Sequence, residues 1–332
     1  MRDDWDERAR RDARRYVDCG HGGSDEEFWR SGPRDLEDFV LEGLALEPSA
    51  EALEIGCGVG RLLKPLSELL SRVTGVDISG EMIARAREAL SDCPNVRLLR
   101  TDGDLPETPD ASLDLVYSFV VFQHVPSKTA VSRYLAEAAR VLRSGGVLRF
   151  QADGRTARRF QPLGTWHGVR YSADELAREL DGLGFGVAGV AGEGTQYLRM
   201  TARRREESGR PDTRAIRLVE RAWDTDALDA LLSRLGRDSR SERPRVLSGA
   251  STLRELARDF LASRRRDTPS EFVTAAYRVL LGREPDAEGL AFYARLIEGG
   301  AARGHVVDCL LGSAELDRRL RPPRFTPASP PA

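Results

Sequence analysis

Lysine is nearly missing from this chain: of 51 basic residues only Lys64 and Lys128 are lysine, and the rest are arginine. A bias that uniform reads as GC-rich coding, so the arginines are not taken as guanidiniums selected for phosphate. Nor is there an excess of either sign, because 53 acidic residues leave a net charge of −2. That excludes a global footprint for nucleic acid or an anionic membrane. Cysteine is scarce and scattered. Cys19, Cys57, Cys93 and Cys309 form no C-x-x-C pair and have no clustered histidines, so neither a disulfide framework nor a metal site is expected. Long apolar runs are lacking too. The longest, around Leu115 to Phe122, falls far short of the ~18 residues of a membrane span. The N-terminus MRDDWDERARRDARRYV is dense in charge where a signal peptide needs an apolar core. A cytoplasmic protein with no membrane association is expected. What remains is 332 residues, 40% apolar and 31% charged, enough for about two domains by the ~150-residue prior.

From about Glu51 to Arg203 short β-rich runs alternate with helical patterns, the signature of an α/β domain with a largely parallel sheet. Strands are expected at Ala52–Ile55, Val73–Asp77, Val96–Thr101, Leu113–Phe119, Val147–Gln151, Gly186–Val190 and Gln196–Thr201. Helices are expected at Arg61–Leu70, Gly80–Leu90, Thr129–Leu142 and Ala173–Leu183, with Ser79 and Ser172 as N-caps. The last two strands are joined by AGEGT, too short for a crossover, so they must pair as an antiparallel hairpin. Residues 1–50 read as an N-terminal cap segment, with a helix from Trp5 to Val17 and aromatics at Phe28, Trp29 and Phe39. Residues 51–203 form the α/β domain. The charge run RRREESGRPD then marks a boundary, followed by a charged linker with helices at 213–235 and 251–265 interrupted by GRDSRSERPR, together spanning 204–266. A small helical domain fills 267–320, and the proline-rich 321–332 reads as a disordered tail.

The sharpest local signal is LEIGCGVGR, where a strand runs into Gly56, Cys57, Gly58, Val59 and Gly60 before a helix. Such a turn presents bare backbone to a ligand, and Glu54 at the strand's end can accept from a cationic amine. A dinucleotide fingerprint would require glycine where Arg61 stands. At the end of the next strand Asp77 can accept both hydroxyls of a ribose. After the third, in RTDGDLPE, Asp102 can accept an adenine amino group while a backbone N–H near Gly103 meets a ring nitrogen. Ligands of open α/β sheets lie outside the carboxyl ends of the strands, where all three signals fall.

These motifs resemble class I S-adenosylmethionine-dependent methyltransferases: LEIGCGVGR, GVDIS with Met82, TDGDLPETPDASLDLVYS and AARVLRSGGVLRF follow that family's order. The resemblance implies a Rossmann-like seven-stranded sheet of order 3-2-1-4-5-7-6 with a C-terminal all-α domain, and S-adenosyl-L-methionine as cofactor. By position it implies that Gly56, Gly58 and Gly60 line the methionine and ribose portion, that Ile78 and Met82 flank the adenine, and that Ser118 and Phe119 border the methionine. The segment FVTAAYRVLLGREPDAEGLAFYARLIEGG resembles a small helical domain of unknown function of the G-R-x-P-D-x-x-G-L type, which suggests a module for a protein partner.

Direct displacement from a sulfonium needs positioning above all. His124 in VVFQHVP is the candidate general base for a hydroxyl acceptor, with a cofactor-lining role as the alternative, and Gln123 could orient substrate. The absence of N-P-P-[YF] after the fourth strand argues against an adenine or amide nitrogen acceptor, and no nucleic-acid partner is expected. The insert DGRTARRFQPLGTWHGVRYS offers Arg155, Arg158, Arg159, Trp166, His167, Arg170 and Tyr171 for an anionic or sugar-like substrate, with Trp5, Tyr16 and Trp29 as lid candidates. O-methylation of a small-molecule or glycan-type hydroxyl is the expectation. A non-catalytic S-adenosylmethionine-binding scaffold whose helical domain recruits partners is the rival, and the intact glycines and acids argue against it.

Overall fold

The structure, a computed structural model, describes residues 1–17, 25–105, 107–155, 164–213, 215–218, 224–247 and 251–320. Cys19, Arg158, Arg159 and the expected tail 321–332 lie outside the described residues. The chain divides into two compact units, Met1–Leu218 and Val219–Ala332.

Among its described residues the first unit holds nine strands: β1 (Leu44–Leu46), β2 (Glu51–Ile55), β3 (Arg72–Asp77), β4 (Val96–Arg100), β5 (Leu113–Ser118), β6 (Leu142–Ala152), β7 (Phe185–Ala191), β8 (Leu198–Arg204) and β9 (Ile216–Leu218). Seven form one sheet in the order β4-β3-β2-β5-β6-β8-β7, the Rossmann-like arrangement expected, with β4 to β6 parallel and β7 and β8 an antiparallel hairpin. The inner strands are apolar runs because both faces are covered. On one face Leu53, Ile55, Val116 and Phe150 pack with Leu135 of the helix Lys128–Val141. On the other, Ala52, Val73, Leu115 and Tyr117 pack with Leu63 and Leu66.

Among the described residues six α-helices serve this unit: α1 (Arg2–Val17), α2 (Asp25–Asp35), α3 (Leu63–Ser67), α4 (Gly80–Ala89), α5 (Lys128–Val141) and α6 (Ala173–Gly182). Three start on serine caps, since the Oγ atoms of Ser79, Ser127 and Ser172 accept from the N–H groups of Met82, Ala130 and Glu175 at 3.1, 3.3 and 3.1 Å. The helix expected over Arg61–Leu70 is shorter because the glycine turn still occupies its first residues. Helix α1 is broken by extended backbone at Asp12 and runs over α4, where Asp6 accepts from Ser79 Oγ at 2.5 Å and from the Glu81 N–H at 3.1 Å. Helix α2 is fixed to the glycine turn by Arg61, whose Nη1 donates to Ser31 Oγ at 2.7 Å and Asp35 Oδ2 at 2.6 Å.

The boundary falls at Leu218 instead of Arg203. The charge run is not a free linker: Arg210 donates to the carbonyls of Ala139 and Leu142 at 2.8 and 2.7 Å, and β9 pairs antiparallel with β1. Part of the helix expected over 213–235 is therefore strand.

The second unit is all-α: α7 (Thr225–Arg234), α8 (Ser239–Leu247), α9 (Leu253–Leu256), α10 (Arg258–Ser263), α11 (Pro269–Ala276), α12 (Ala287–Glu298), α13 (Arg303–Leu311) and α14 (Ala314–Leu320). The expected interruption at 236–245 is largely helical, as α8. One core joins Leu228 and Leu232 of α7 to Phe272, Val306 and Leu310, so the helices before residue 267 belong to the same body. Gly282 takes the left-handed conformation after α11, and Asp286 caps α12 by accepting from the Gly289 N–H at 2.7 Å, the turn read from G-R-x-P-D. Among the described residues no helix is long and apolar enough to cross a membrane.

Candidate functional site

At the carboxyl ends of β2, β3 and β5 a partly open, mostly apolar cleft lies where ligands of open α/β sheets bind. Its floor is the glycine turn. Gly56 and Gly58 have φ of +77° and +53°, and a Cβ on Gly56 would run into Val121 while one on Gly58 would stand 2.8 Å from Val17 Cγ2. Only glycine meets both demands. Asp77 locks this turn to the next strand, its Oδ2 accepting from the Gly58 N–H at 2.9 Å and its Oδ1 from the Ser79 N–H at 2.8 Å. Burial pushes its carboxyl up to about 6 against those hydrogen bonds. Ile55, Ile78 and Met82 complete this side.

The opposite wall comes from the loop after β5 and from α1: Phe119, Val120, Val121, His124 and Val125, with Trp5, Tyr16 and Val17 above. Val120 has a φ of +58°, an uncommon conformation for a β-branched residue. Its N–H donates to Oε1 of the buried Gln151 at 3.0 Å. The Gln151 amide also donates to Gln123 Oε1 at 2.9 Å, and Gln123 Nε2 in turn donates to His124 Nε2 at 3.1 Å. Because His124 Nδ1 lies 2.9 Å from the Trp166 carbonyl oxygen, which can only accept, the ring proton sits on Nδ1. Burial lowers the His124 pKa to about 4, so the ring is uncharged at neutral pH.

Several candidates read from the sequence lie beside the cleft and not on it. Glu54 is not among the lining side chains: it alternates with Ile55 on β2 and points to the other face, accepting from Tyr117 Oη at 3.1 Å. Burial first, and Asp77 with it, raise its pKa to about 8, although Tyr117 and Arg61 work the other way. The buried Cys57 packs beside Gly75, and Gly60 against Leu90, both structural supports of the turn. Ser118 Oγ donates to the Ile55 carbonyl at 3.0 Å. Asp102 is exposed and paired with Arg2 of α1. The Gly103 N–H donates to Thr101 Oγ1 at 3.2 Å, so it is not free for a ring nitrogen.

The substrate candidates separate in the same way. Trp29 packs edge-on against Phe28, away from the cleft. Arg155 and Arg170 converge on Asp153, with Nη2 and Nε at 2.6 and 3.3 Å from its Oδ2. Tyr171 is buried, with Lys128 Nζ 4.7 Å from its ring centroid, and His167 is exposed. Trp166 stands at the roof, its ring 5.2 Å from that of His124 and 5.9 Å from Tyr16. Trp5 and Tyr16, read as lid candidates, line the cleft. The sequence reading missed Val17, Val120, Val121, Val125 and Tyr134. The apolar run VVFQHVP after the fourth strand was the available signal for three of them.

Comparison with known proteins places these features among relatives. Residues 53–150 match the methyltransferase domain family, and residues 257–320 match a domain of unknown function (DUF4214). A probable S-adenosylmethionine-dependent methyltransferase of Mycolicibacterium smegmatis is 32% identical over 147 residues, 43% of this chain and 54% of that protein. A demethylmenaquinone methyltransferase of Tropheryma whipplei is 33% identical over 105 residues, 32% of this chain and 42% of that protein. An uncharacterised 37.1 kDa protein of a Streptomyces fradiae transposon is 36% identical over 118 residues, covering 35% and 33%. The chain thus spans between a third and just over half of the length of these relatives. Among solved structures, magnesium protoporphyrin IX methyltransferase from Synechocystis with bound SAH aligns at 20% identity and a TM-score of 0.45, over 61% of this chain and 97% of that one.

Proposed function

We infer that the first unit is an S-adenosylmethionine-dependent methyltransferase acting on a small-molecule or glycan-type hydroxyl. One observation carries the reading: the left-handed glycine turn and the buried Asp77 meet at the floor of a single cleft, joined by the Gly58 hydrogen bond. The methyltransferase family match over 53–150 supports it. When bound, S-adenosylmethionine would supply an electrophilic methyl group on its sulfonium sulfur for an acceptor oxygen, with S-adenosylhomocysteine as the leaving group and the acceptor's proton passing to solvent.

The residues present fit that group. The bare backbone of Gly56 and Gly58 gives close approach where a Cβ would intrude, and the Asp77 carboxylate keeps acceptor capacity for the ribose beyond its backbone bonds to Gly58, Ser79 and Ile78. Ile78 and Met82 would flank the adenine, and Phe119 would border the methionine. Asp102 would read the adenine amino group by sharing or releasing Arg2. His124 fits a lining role better than that of a base, since a ring held near pKa 4 is a weak proton acceptor at neutral pH. The helical second unit is assigned as a module for a protein partner, without a catalytic part.

Calorimetry with S-adenosylhomocysteine tests the cofactor assignment, and labelled S-adenosylmethionine offered to metabolite extracts tests transfer. No heat of binding at millimolar ligand would overturn the reading.

A further inference from the structure

Beyond the positions assigned to the cofactor, the cleft is walled by rings and aliphatic groups from two elements that do not belong to the sheet. Helix α1 contributes Trp5 and Tyr16, and the loop after β5 contributes Val121, His124 and Val125. Trp5 stands edge-on to His124 with the ring centroids 5.5 Å apart. Among the described residues no arginine or lysine lines the cleft. The guanidinium that comes near, Arg8, lies on the outer side of this wall, 4.8 Å from the Trp5 ring, 5.5 Å from Trp166 and 5.9 Å from Tyr16. It lines an adjoining surface cavity with Asp4, Glu7, Arg11, Trp166 and Tyr16, the last shared with the cleft.

We propose, on the reading above, that this wall receives an acceptor whose reacting end is an uncharged aromatic or similarly flat apolar ring, not an anion and not a bare sugar. An anion here would lose its water without gaining an arginine or lysine partner, and would share the cleft with the Asp77 carboxylate. A sugar would need several side-chain donors and acceptors, whereas the wall offers Tyr16 Oη, the Trp5 indole N–H and an imidazole whose two nitrogens are already hydrogen-bonded. Burial shifts the cleft's own titratable groups toward their neutral forms, although Asp77 remains a carboxylate at neutral pH. Burial pushes His124 down, and it pushes Asp77 and Tyr134 up. A flat ring laid against Trp5 or Tyr16 gains offset or edge-on contacts of the kind aromatic pairs prefer.

The test uses the full chain and three probes matched to the argument: 2-naphthol, 2-naphthoate and methyl glucoside, each titrated by calorimetry in the presence of saturating S-adenosylhomocysteine. The neutral naphthol should bind at least about tenfold more tightly than the carboxylate and the glycoside. In Tyr16→Ala and Trp5→Ala, naphthol affinity should fall at least about tenfold while that for S-adenosylhomocysteine stays within about threefold. Equal or tighter binding of naphthoate or glycoside, or no saturable binding of naphthol, would overturn the proposal. So would a parallel loss of both ligands in the variants, which would assign the wall to the cofactor. Failure of S-adenosylhomocysteine to bind the unaltered chain would instead remove the methyltransferase reading on which the proposal rests.

Discussion

His124 donates its Nδ1 proton to the carbonyl oxygen of Trp166 across 2.9 Å, tying the loop after β5 to the insert that follows β6. That bond fixes the tautomer and leaves Nε2 to accept from Gln123. The imidazole is thereby a structural strut in the cleft wall.

Its protonation should follow. With the folded pKa lowered to about 4 by burial, against an unfolded value near 6.5, His124 contributes stability that is fully present above pH 6.5 and lost as pH falls through about 4. Nitrogen-15 NMR of the ring should show Nδ1 protonated and Nε2 bare, without titration down to about pH 5. Turnover of His124→Ala should fall by less than the ~10²–10⁴ expected for loss of a general base. A titration near 6.5 that coincides with a fall in rate would restore the base.

Asp77 should govern cofactor affinity and its pH dependence. Asp77→Ala removes the acceptor for two backbone donors and for the ribose, and hydrogen bonds to a charged group are worth ~1.5–3 kcal/mol, tenfold or more in affinity. Because burial holds this carboxyl near 6, S-adenosylhomocysteine should bind less tightly as pH falls through that value, and the Ala variant should lack the dependence. Calorimetry at several pH values measures both. Unchanged affinity in the variant would remove the ribose assignment.

The large sheet was legible because its strands are apolar runs at regular intervals, and the AGEGT turn forced the final hairpin. The three-residue strands β1 and β9 carry too little pattern to be seen, and their partnership spans the whole unit, so residues 204–218 looked like linker. Strand parity was available but unused: Ile55 on the cleft places Glu54 on the opposite face. The cleft roof was not legible beyond Trp5 and Tyr16, because which residues of the insert approach His124 depends on tertiary packing. Arg155 and Arg170 looked like substrate ligands until Asp153 was seen to hold them.

Gly56→Ala separates two costs. The alanine must hold a φ of +77°, on the order of 1–2 kcal/mol, and its Cβ must also displace Val121. Val121→Ala in the same chain relieves the collision and not the backbone strain. Thermal unfolding should therefore show Gly56→Ala destabilised and the double variant recovering only part of the loss. Full recovery, or no destabilisation, would show that the turn relaxes and that glycine is not required there.

Truncation after Leu218 should give a folded fragment that binds S-adenosylhomocysteine as the full chain does, since β9 and Arg210 remain in place. Truncation after Arg203 removes both, leaves β1 without its partner, and should lower the melting temperature of the fragment. Equal stability of the two fragments would return the boundary to Arg203.

Glu54 should reveal itself in stability as a function of pH, with the sign opposite to that of His124. Burial raises its folded pKa to about 8 from an ordinary 4.5, so the folded state retains a proton that the unfolded chain releases. Its contribution is fully present below about 4.5 and is lost as pH rises through about 8, with a slope on the order of 1.4 kcal/mol per pH unit inside that window. Glu54→Gln keeps a hydrogen-bond acceptor for Tyr117 and cannot ionise. Relative to the unaltered protein, the variant should therefore gain stability steadily from pH 5 to 8, read as a growing difference in melting temperature. A constant difference across that range would mean that Glu54 is already ionised in the folded state.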